Sequence, residues 1–240
     1  MNQSSPYGNL YLLPTPLGEV EYNTILPLVL HERLKALKYF IAENEKTSRH
    51  FIKDFAPTIA QPSLHFFTLN KRTTAEEFSS FLDPCLKGHD MGMMSEAGCP
   101  GVADPGAKVV RLAHRKNIRV IPMVGPSSIL LAMMASGLNG QHFTFNGYLP
   151  IEKSERKQSI KRLEQLSHQQ HQAQLCIETP YRNEKLLQDF IKYLHPDTKL
   201  CIARELTLPS EFIRTQSVRQ WKKTKVDLHK KPTIFIFQKE

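Results

Sequence analysis

The sequence predicts an α/β protein whose first half holds a largely parallel sheet. Three observations carry this. Short apolar runs alternate with helix-length amphipathic stretches through the first half. Several of those runs end directly in Gly/Pro-rich turns. Past residue 124 the rhythm changes, and strands outnumber the helices between them. A chain of 240 residues makes one large domain or two small ones, and it buries a core without staples.

Asn9–Leu13 reads as the first strand and runs into the turn Pro14-Thr15-Pro16-Leu17-Gly18. Tyr39–Ala42 is the second, followed by a helix from about Lys46 to Asp54. Leu64–Thr68 is the third, after which Thr74 caps a helix with Glu77 at the capping-box position. Asp90–Met94 leads into a long Gly/Pro-rich loop, and a helix follows over Ala107–Lys116. Met91, Met93 and Met94 read as core filler rather than a cofactor box. Arg119–Pro122 closes the first set, and Val124-Gly125-Pro126-Ser127-Ser128 breaks the pattern. The domain boundary is placed there, giving 1–124 with a mostly parallel sheet and 125–240 with a mixed one.

The second half opens with a helix over Ser128–Ser136, capped by Ser127 or Ser128. Strands follow at Phe143–Phe145, Leu175–Ile177, Leu200–Ala203, Phe212–Thr215 and Thr233–Phe237. Two long helices intervene, about Ser154–Leu166 with Ser154 as the expected N-cap, and Asn183–Leu194. The polar tract Ser167–Gln174 reads as an exposed loop.

Mean hydropathy is −0.37. No apolar run approaches the roughly 20 residues that cross a bilayer, so a membrane is not expected as partner. Met1–Gly8 is short and polar, so no secretory signal is expected. Four cysteines, 85, 99, 176 and 201, include no CxxC pair. That argues against a disulfide framework or zinc ribbon and fits a reducing cytoplasm.

The most informative stretch is Ser95-Glu96-Ala97-Gly98-Cys99-Pro100-Gly101-Val102-Ala103-Asp104-Pro105-Gly106. It follows an apolar strand and precedes a helix, where open α/β sheets bind ligands. Its glycines admit close approach to the backbone, and its prolines hold the amides in place. With the turns at 14–18 and 124–128 it predicts a ligand face at the strand ends. The loop is neither GxGxxG nor a Walker motif. Cys99 has no flanking base and reads as a plain loop thiol. His168 and His171 lie near no carboxylate, so no metal is expected. Arg204-Glu205, after an apolar strand, reads as an internal ion pair.

Lys and Arg number 32 against 23 acids, a net charge of +9. The charge is compatible with a polyanionic partner such as RNA and equally with a basic protein that binds none. It concentrates in two groups. One is Lys153, Arg156, Lys157, Lys161 and Arg162. The other runs from Arg214 to Lys231.

At these loops the chain resembles the tetrapyrrole-methylase-like superfamily of S-adenosylmethionine-dependent methyltransferases, and within it the ribosomal RNA small-subunit methyltransferase I group. The markers are LLPTPLG at Leu12–Gly18, AENEKTSRHFIKDF at Ala42–Phe55, SEAGCPGVADPG at Ser95–Gly106 and IPMVGPSSILLAMMASGL at Ile121–Leu138. FNGYLP at Phe145–Pro150, ETPYR at Glu178–Arg182, ARELT at Ala203–Thr207 and PTIFIF at Pro232–Phe237 complete them. The resemblance implies two unequal α/β domains with a ligand cleft between them, a homodimer, and S-adenosylmethionine as cofactor. It implies methylation of a cytidine 2′-hydroxyl in the small ribosomal subunit.

By the same resemblance, donor contacts fall on Pro14, Gly98, Cys99, Val102, Ala103, Ser127 and Ser128. In the second domain they fall on Glu178, Arg204, Leu206, Pro232 and Thr233. Glu96 and Glu43 flank the expected cleft and are the candidate bases; Asp104 reads instead as a cap or ion-pair residue. Lys46, Arg49, Lys153, Arg156, Lys157 and Lys161 are the candidate RNA contacts. The group usually shows Glu-Asp-Thr-Arg where this chain has Glu43-Asn44-Glu45-Lys46. It usually shows Ser-Asp-Ala-Gly-Thr-Pro where this chain has Glu96 and Cys99. Asn44 cannot act as a base, and Lys46 lacks the arginine fork. A tetrapyrrole or other small-molecule methyltransferase, and a non-catalytic RNA-binding homologue, stay open beside the RNA reading.

Overall fold

The computed structural model describes residues 6–70 and 72–240. Of the polar stretch Met1–Gly8, positions 1–5 lie outside the described residues. The chain divides into two compact units, Met1–Ser127 and Ser128–Glu240.

The first unit carries strands Leu10–Leu13 (β1), Tyr39–Ala42 (β2), His65–Thr68 (β3), Met91–Met94 (β4) and Val120–Pro122 (β5). Its helices are Leu28–Ala36 (α1), Glu45–Phe55 (α2), Ala75–Ser80 (α3), Asp83–Leu86 (α4) and Ala107–Arg115 (α5). The sheet order is β3-β2-β4-β1-β5, and every pairing is parallel. Both faces are covered, as parallel sheets require. Tyr11, Leu13, Phe40 and Met94 point into a core with Leu30, Leu34, Phe51, Ile52 and Phe55 of α1 and α2. Leu10, Ile41, Met91 and Met93 point the other way, onto Leu82, Cys85, Val109 and Ala113. Strand periodicity thus splits one sheet between two cores. Thr74 forms the expected capping box with Glu77. Helix α1, absent from the sequence reading, has alternating charges and buries only Leu30 and Leu34, so its apolar period is faint.

The second unit carries Phe143–Tyr148 (β6), Ala173–Ile177 (β7), Lys199–Arg204 (β8), Phe212–Ser217 (β9) and Thr233–Gln238 (β10). Its helices are Ser128–Ser136 (α6), Lys153–Gln170 (α7), Asn183–Tyr193 (α8) and Val218–Trp221 (α9). The order is β6-β7-β10-β8-β9, with only β6 and β7 parallel. Ile160 and Leu163 of α7 and Phe190 of α8 pack on Phe235 and Phe237. Trp221 is buried with its indole N–H on the Leu200 carbonyl at 2.8 Å.

Two local expectations are corrected. The tract from Ser167 is not a loop: α7 continues to Gln170 and stops where His171 turns left-handed at φ +50°. Its glutamines and histidines are tolerated in helices, and Ser167 is a buried residue whose hydroxyl accepts the Lys239 N–H at 3.0 Å. The α7 N-cap is Glu152, not Ser154; its carboxylate accepts from the Ser154 and Glu155 amides at 2.5 and 3.1 Å.

Candidate active site

In the first unit the three loops read from the sequence meet at one end of the sheet. They leave the carboxyl ends of β4, β1 and β5, which are neighbours in the sheet. Thr15 and Gly98 exchange backbone hydrogen bonds of 3.0 and 3.1 Å, forming an isolated antiparallel bridge. The Thr15 hydroxyl donates to the Ser95 carbonyl at 3.2 Å, and the Ser95 hydroxyl donates to that of Gly98 at 3.0 Å. Cys99 is tied to the third loop, its Sγ lying 3.4 Å from the Pro126 oxygen. Burial pushes this thiol up in pKa, which fits a loop thiol and not a nucleophile.

The long loop is wound around Asp104. One of its oxygens, Oδ1, accepts the amides of Gly101 and Gly106 at 2.7 and 2.8 Å. Burial raises the Asp104 carboxyl and these two bonds oppose the rise, so Asp104 is an organiser of the loop. Around it Gly98, Gly101 and Ala103 take positive φ of 76°, 84° and 61°. Val102 and Ala103 are exposed at the top, while Pro14 is buried beneath. A Cβ on Gly125 would come within 2.3 Å of the Pro14 ring, so only glycine permits that approach. Ser127 ends this unit and Ser128 opens α6 in the next.

The candidate bases sit at the ends of adjacent strands, Glu43 after β2 and Glu96 after β4. Burial is the main cause that raises the Glu43 carboxyl, followed by repulsion from Asp104 and Glu96. The exposed Glu96 accepts the Thr47 hydroxyl at 2.8 Å. Thr47, missed in the sequence, reaches this place only because α2 starts beside β4. A cavity of about 240 Å³ lies here, lined among others by Thr15, Leu17, Tyr22, Thr47, Phe51 and Glu96. Asn44 caps α2, accepting the Lys46 and Thr47 amides at 3.0 and 3.5 Å. An uncharged cap serves this purpose as well as aspartate does.

In the second unit Glu178 follows β7, Leu206 follows β8, and Pro232 precedes Thr233 at the start of β10. These strands are neighbours, with β10 antiparallel to both, so the residues gather at one end of the sheet. The buried Glu178 carboxylate is held by the Thr179 amide and by Arg182, both at 2.6 Å. The loop after β8 is strained: Glu205 and Thr207 have φ of +51° and +72°, which a β-branched threonine rarely adopts. Its Oγ1 is buried without a hydrogen-bond partner among the described residues. No sequence period marks Thr207. Such strain gathers at ligand clamps.

Three of the expected contacts are otherwise engaged. Arg204 donates to the Asp227 and Ser210 carbonyls at 2.8 and 3.0 Å and lies 3.3 Å from Glu205. It forms the ion pair with Glu205 that the sequence led us to expect, while its Nε is buried without a hydrogen-bond partner among the described residues. Arg156 is not an RNA contact: it is buried, it pairs with Asp189 at 2.6 Å, and it donates to the Pro150 and Ile151 carbonyls. Arg49 is half-buried, donating to Glu45, Gln61 and Leu64 and lying 4.6 Å from the Phe66 ring centre. Lys46, Lys153, Lys157 and Lys161 are exposed. Among the described residues no helix is long and apolar enough to cross a membrane, and no group of three or more His, Cys, Asp or Glu is placed to hold a metal.

No family model matches the chain. Ribosomal RNA small subunit methyltransferase I of Halalkalibacterium halodurans is 30% identical over 213 residues, 88% of this chain and 69% of that protein. Its namesake from Buchnera aphidicola is 27% identical over 239 residues, 98% of this chain and 80% of that protein. Among solved structures, the methyltransferase CobJ matches with a TM-score of 0.64 at 13% identity, covering 96% of this chain and 94% of that one. A uroporphyrin-III C-methyl transferase from Thermus thermophilus, complexed with S-adenyl homocysteine, gives 0.55 at 16% identity, covering 97% and 98%.

The fold, with its loop-built strand ends, is that of the tetrapyrrole-methylase-like S-adenosylmethionine-dependent methyltransferases, and the chain is an enzyme of that class. Within the class it belongs to the ribosomal RNA small subunit methyltransferase I family.

Proposed function

We propose that the chain methylates the 2′-hydroxyl of a cytidine in small-subunit ribosomal RNA. The observation that carries this is the Thr15–Gly98 clasp, which with the Cys99–Pro126 contact sets three loops at one end of the sheet beside the raised carboxyl of Glu43. When bound, S-adenosylmethionine supplies a methyl group activated by its sulfonium. The residues fit it: the backbone at Gly101–Ala103 reaches the surface with Gly101 and Ala103 at positive φ, and the glycine at 125 lets the third loop pack directly on Pro14.

Pro14, Gly98, Cys99, Val102 and Ala103, with Ser127, would hold it from the first unit. In the second unit, described by itself, the proposed donor contacts are Ser128, Glu178, Arg204, Leu206, Pro232 and Thr233. Positioning of the acceptor is worth on the order of 7–11 kcal/mol. Glu43 takes the hydroxyl proton, since a raised carboxyl is a better base near neutral pH. Glu96, fixed by Thr47, orients the acceptor. Lys46, Lys153, Lys157 and Lys161 receive the RNA backbone.

The relatives, ribosomal RNA small subunit methyltransferases I, favour RNA over a tetrapyrrole acceptor. We place the enzyme in the cytoplasm with the small ribosomal subunit as partner, working as a homodimer. Isothermal titration with S-adenosylmethionine, then transfer of labelled methyl to small subunits lacking the modification, tests this. Saturable donor binding with methyl recovered on a cytidine ribose is expected. Donor binding without transfer to RNA would refute the acceptor; no donor binding by folded protein would refute the site.

A further inference from the structure

Two tyrosines stand exposed at the ligand end of the second sheet, and the transfer chemistry uses neither. Tyr148 closes β6 and is 59% exposed. Gly147, at φ +63°, accompanies a shift of register between Phe145 and Tyr148, so that Tyr148 pairs with Ile177 beside Glu178. Tyr181 lies in the 3-10 turn Pro180–Arg182 that follows Glu178, and it is 73% exposed. Because β6 and β7 are parallel neighbours, Tyr148 at the end of β6 and the turn after β7 that carries Tyr181 lie at the same end of the sheet.

A cation accompanies the second ring. Lys230 Nζ is 5.6 Å from the Tyr181 ring centre, and the His229 ring meets it edge-on at 6.5 Å. Lys230 belongs to the second basic group of the sequence, for which the proposed reaction has no use. The turn of His229 and Lys230 is preformed: Asp227 accepts the His229 amide at 3.0 Å, Lys230 has φ +56°, and the Lys230 amide donates to the Pro180 carbonyl at 3.2 Å. The backbone after Tyr148 is held by Arg156 through the Pro150 and Ile151 carbonyls. Large aromatic rings on stiff backbone with cations beside them are the elements of a single-stranded nucleic acid surface.

We propose that Tyr148 and Tyr181 are a stacking platform for unpaired nucleobases of the substrate, with Lys230 receiving a phosphate. This rests on the ribosomal RNA reading above and names the form of RNA taken, single-stranded and not duplex.

Fluorescence anisotropy with a labelled single-stranded RNA oligonucleotide, alone and annealed to its complement, tests it over a range of salt. Tyr148→Leu and Tyr181→Leu should each weaken single-strand binding by about 5- to 100-fold with the salt slope unchanged. Tyr148→Phe and Tyr181→Phe should restore it. Lys230→Gln should lower the slope by about 1. With small subunits as substrate, the leucine variants should raise KM and leave kcat. Wild-type protein that binds the single strand while both leucine variants bind within about twofold of it overturns the platform and leaves the RNA reading standing. Equal preference for duplex also overturns it. Wild-type protein that binds S-adenosylmethionine and no RNA overturns both.

Discussion

Glu96 accepts a hydrogen bond of 2.8 Å from the hydroxyl of Thr47, a residue 49 positions earlier in the chain. The contact joins the start of α2 to the loop after β4 and fixes one of the two candidate bases. Thr47→Val removes the donor and nearly preserves the shape. In steady-state assays we expect kcat to fall, while titrated S-adenosylmethionine affinity stays at the wild-type value. Loss of donor affinity instead would mean that Thr47 serves the loop.

Gly98 joins the same loop to the turn after β1, through Thr15. At φ +76° an added Cβ is strained by about 1–2 kcal/mol. It would also meet Leu17 at 3.3 Å. Gly98→Ala should therefore lower the unfolding free energy by about that amount and weaken donor binding. Denaturant melts and calorimetric titration check the two effects separately; an unchanged variant in both would show that the bridge to Thr15 is dispensable.

Glu43 links pH to stability in a defined direction. Its carboxyl is raised from 4.5, so the folded chain holds this proton more tightly than the unfolded one. Its contribution is complete at low pH and is lost as pH rises from 4.5 through the folded-state pKa. Glu43→Gln should thus melt higher than wild type at about pH 8, an advantage that vanishes near about pH 4. The same variant should lose roughly 10²–10⁴-fold in kcat if Glu43 is the base. A variant that keeps its kcat would transfer the role to Glu96 or to none.

Arg156 and Asp189 form a buried pair in the second unit. Arg156→Met leaves the carboxylate buried alone and should cost about 3–5 kcal/mol. Adding Asp189→Leu should recover most of that loss in chemical denaturation. A single variant within about 1 kcal/mol of wild type would contradict the burial argument.

Lys153, Lys157 and Lys161 are exposed along α7. Changing all three to Gln should leave the melting temperature nearly unmoved, because surface charges contribute little. The logarithmic salt slope of RNA binding should drop by about 2, three single-strand phosphate contacts being lost. An unchanged slope would place the RNA elsewhere.

The sequence by itself determined the strands, most helices and the Gly/Pro-rich loops at the strand ends, because those signals are local. Apolar period placed the strands of both units, and Thr74 with Glu77 announced a cap within one turn. The glycines and prolines of residues 95–106 marked a loop whatever it packs against. Local preference was weak where the sequence misled: Leu28–Ala36 has little apolar period and went unread, and the polar tract after Leu166 is helical to Gln170 without a signal for it. Tertiary structure decided which polar groups meet. Strand order brought Glu43 beside Glu96 and Thr15 beside Gly98, since neighbours in a parallel sheet are distant in the chain. It also withdrew Arg156 from the basic face by supplying Asp189 from another helix. A residue's own type says what it can bond; only the crossovers between strands say what stands within 3 Å of it.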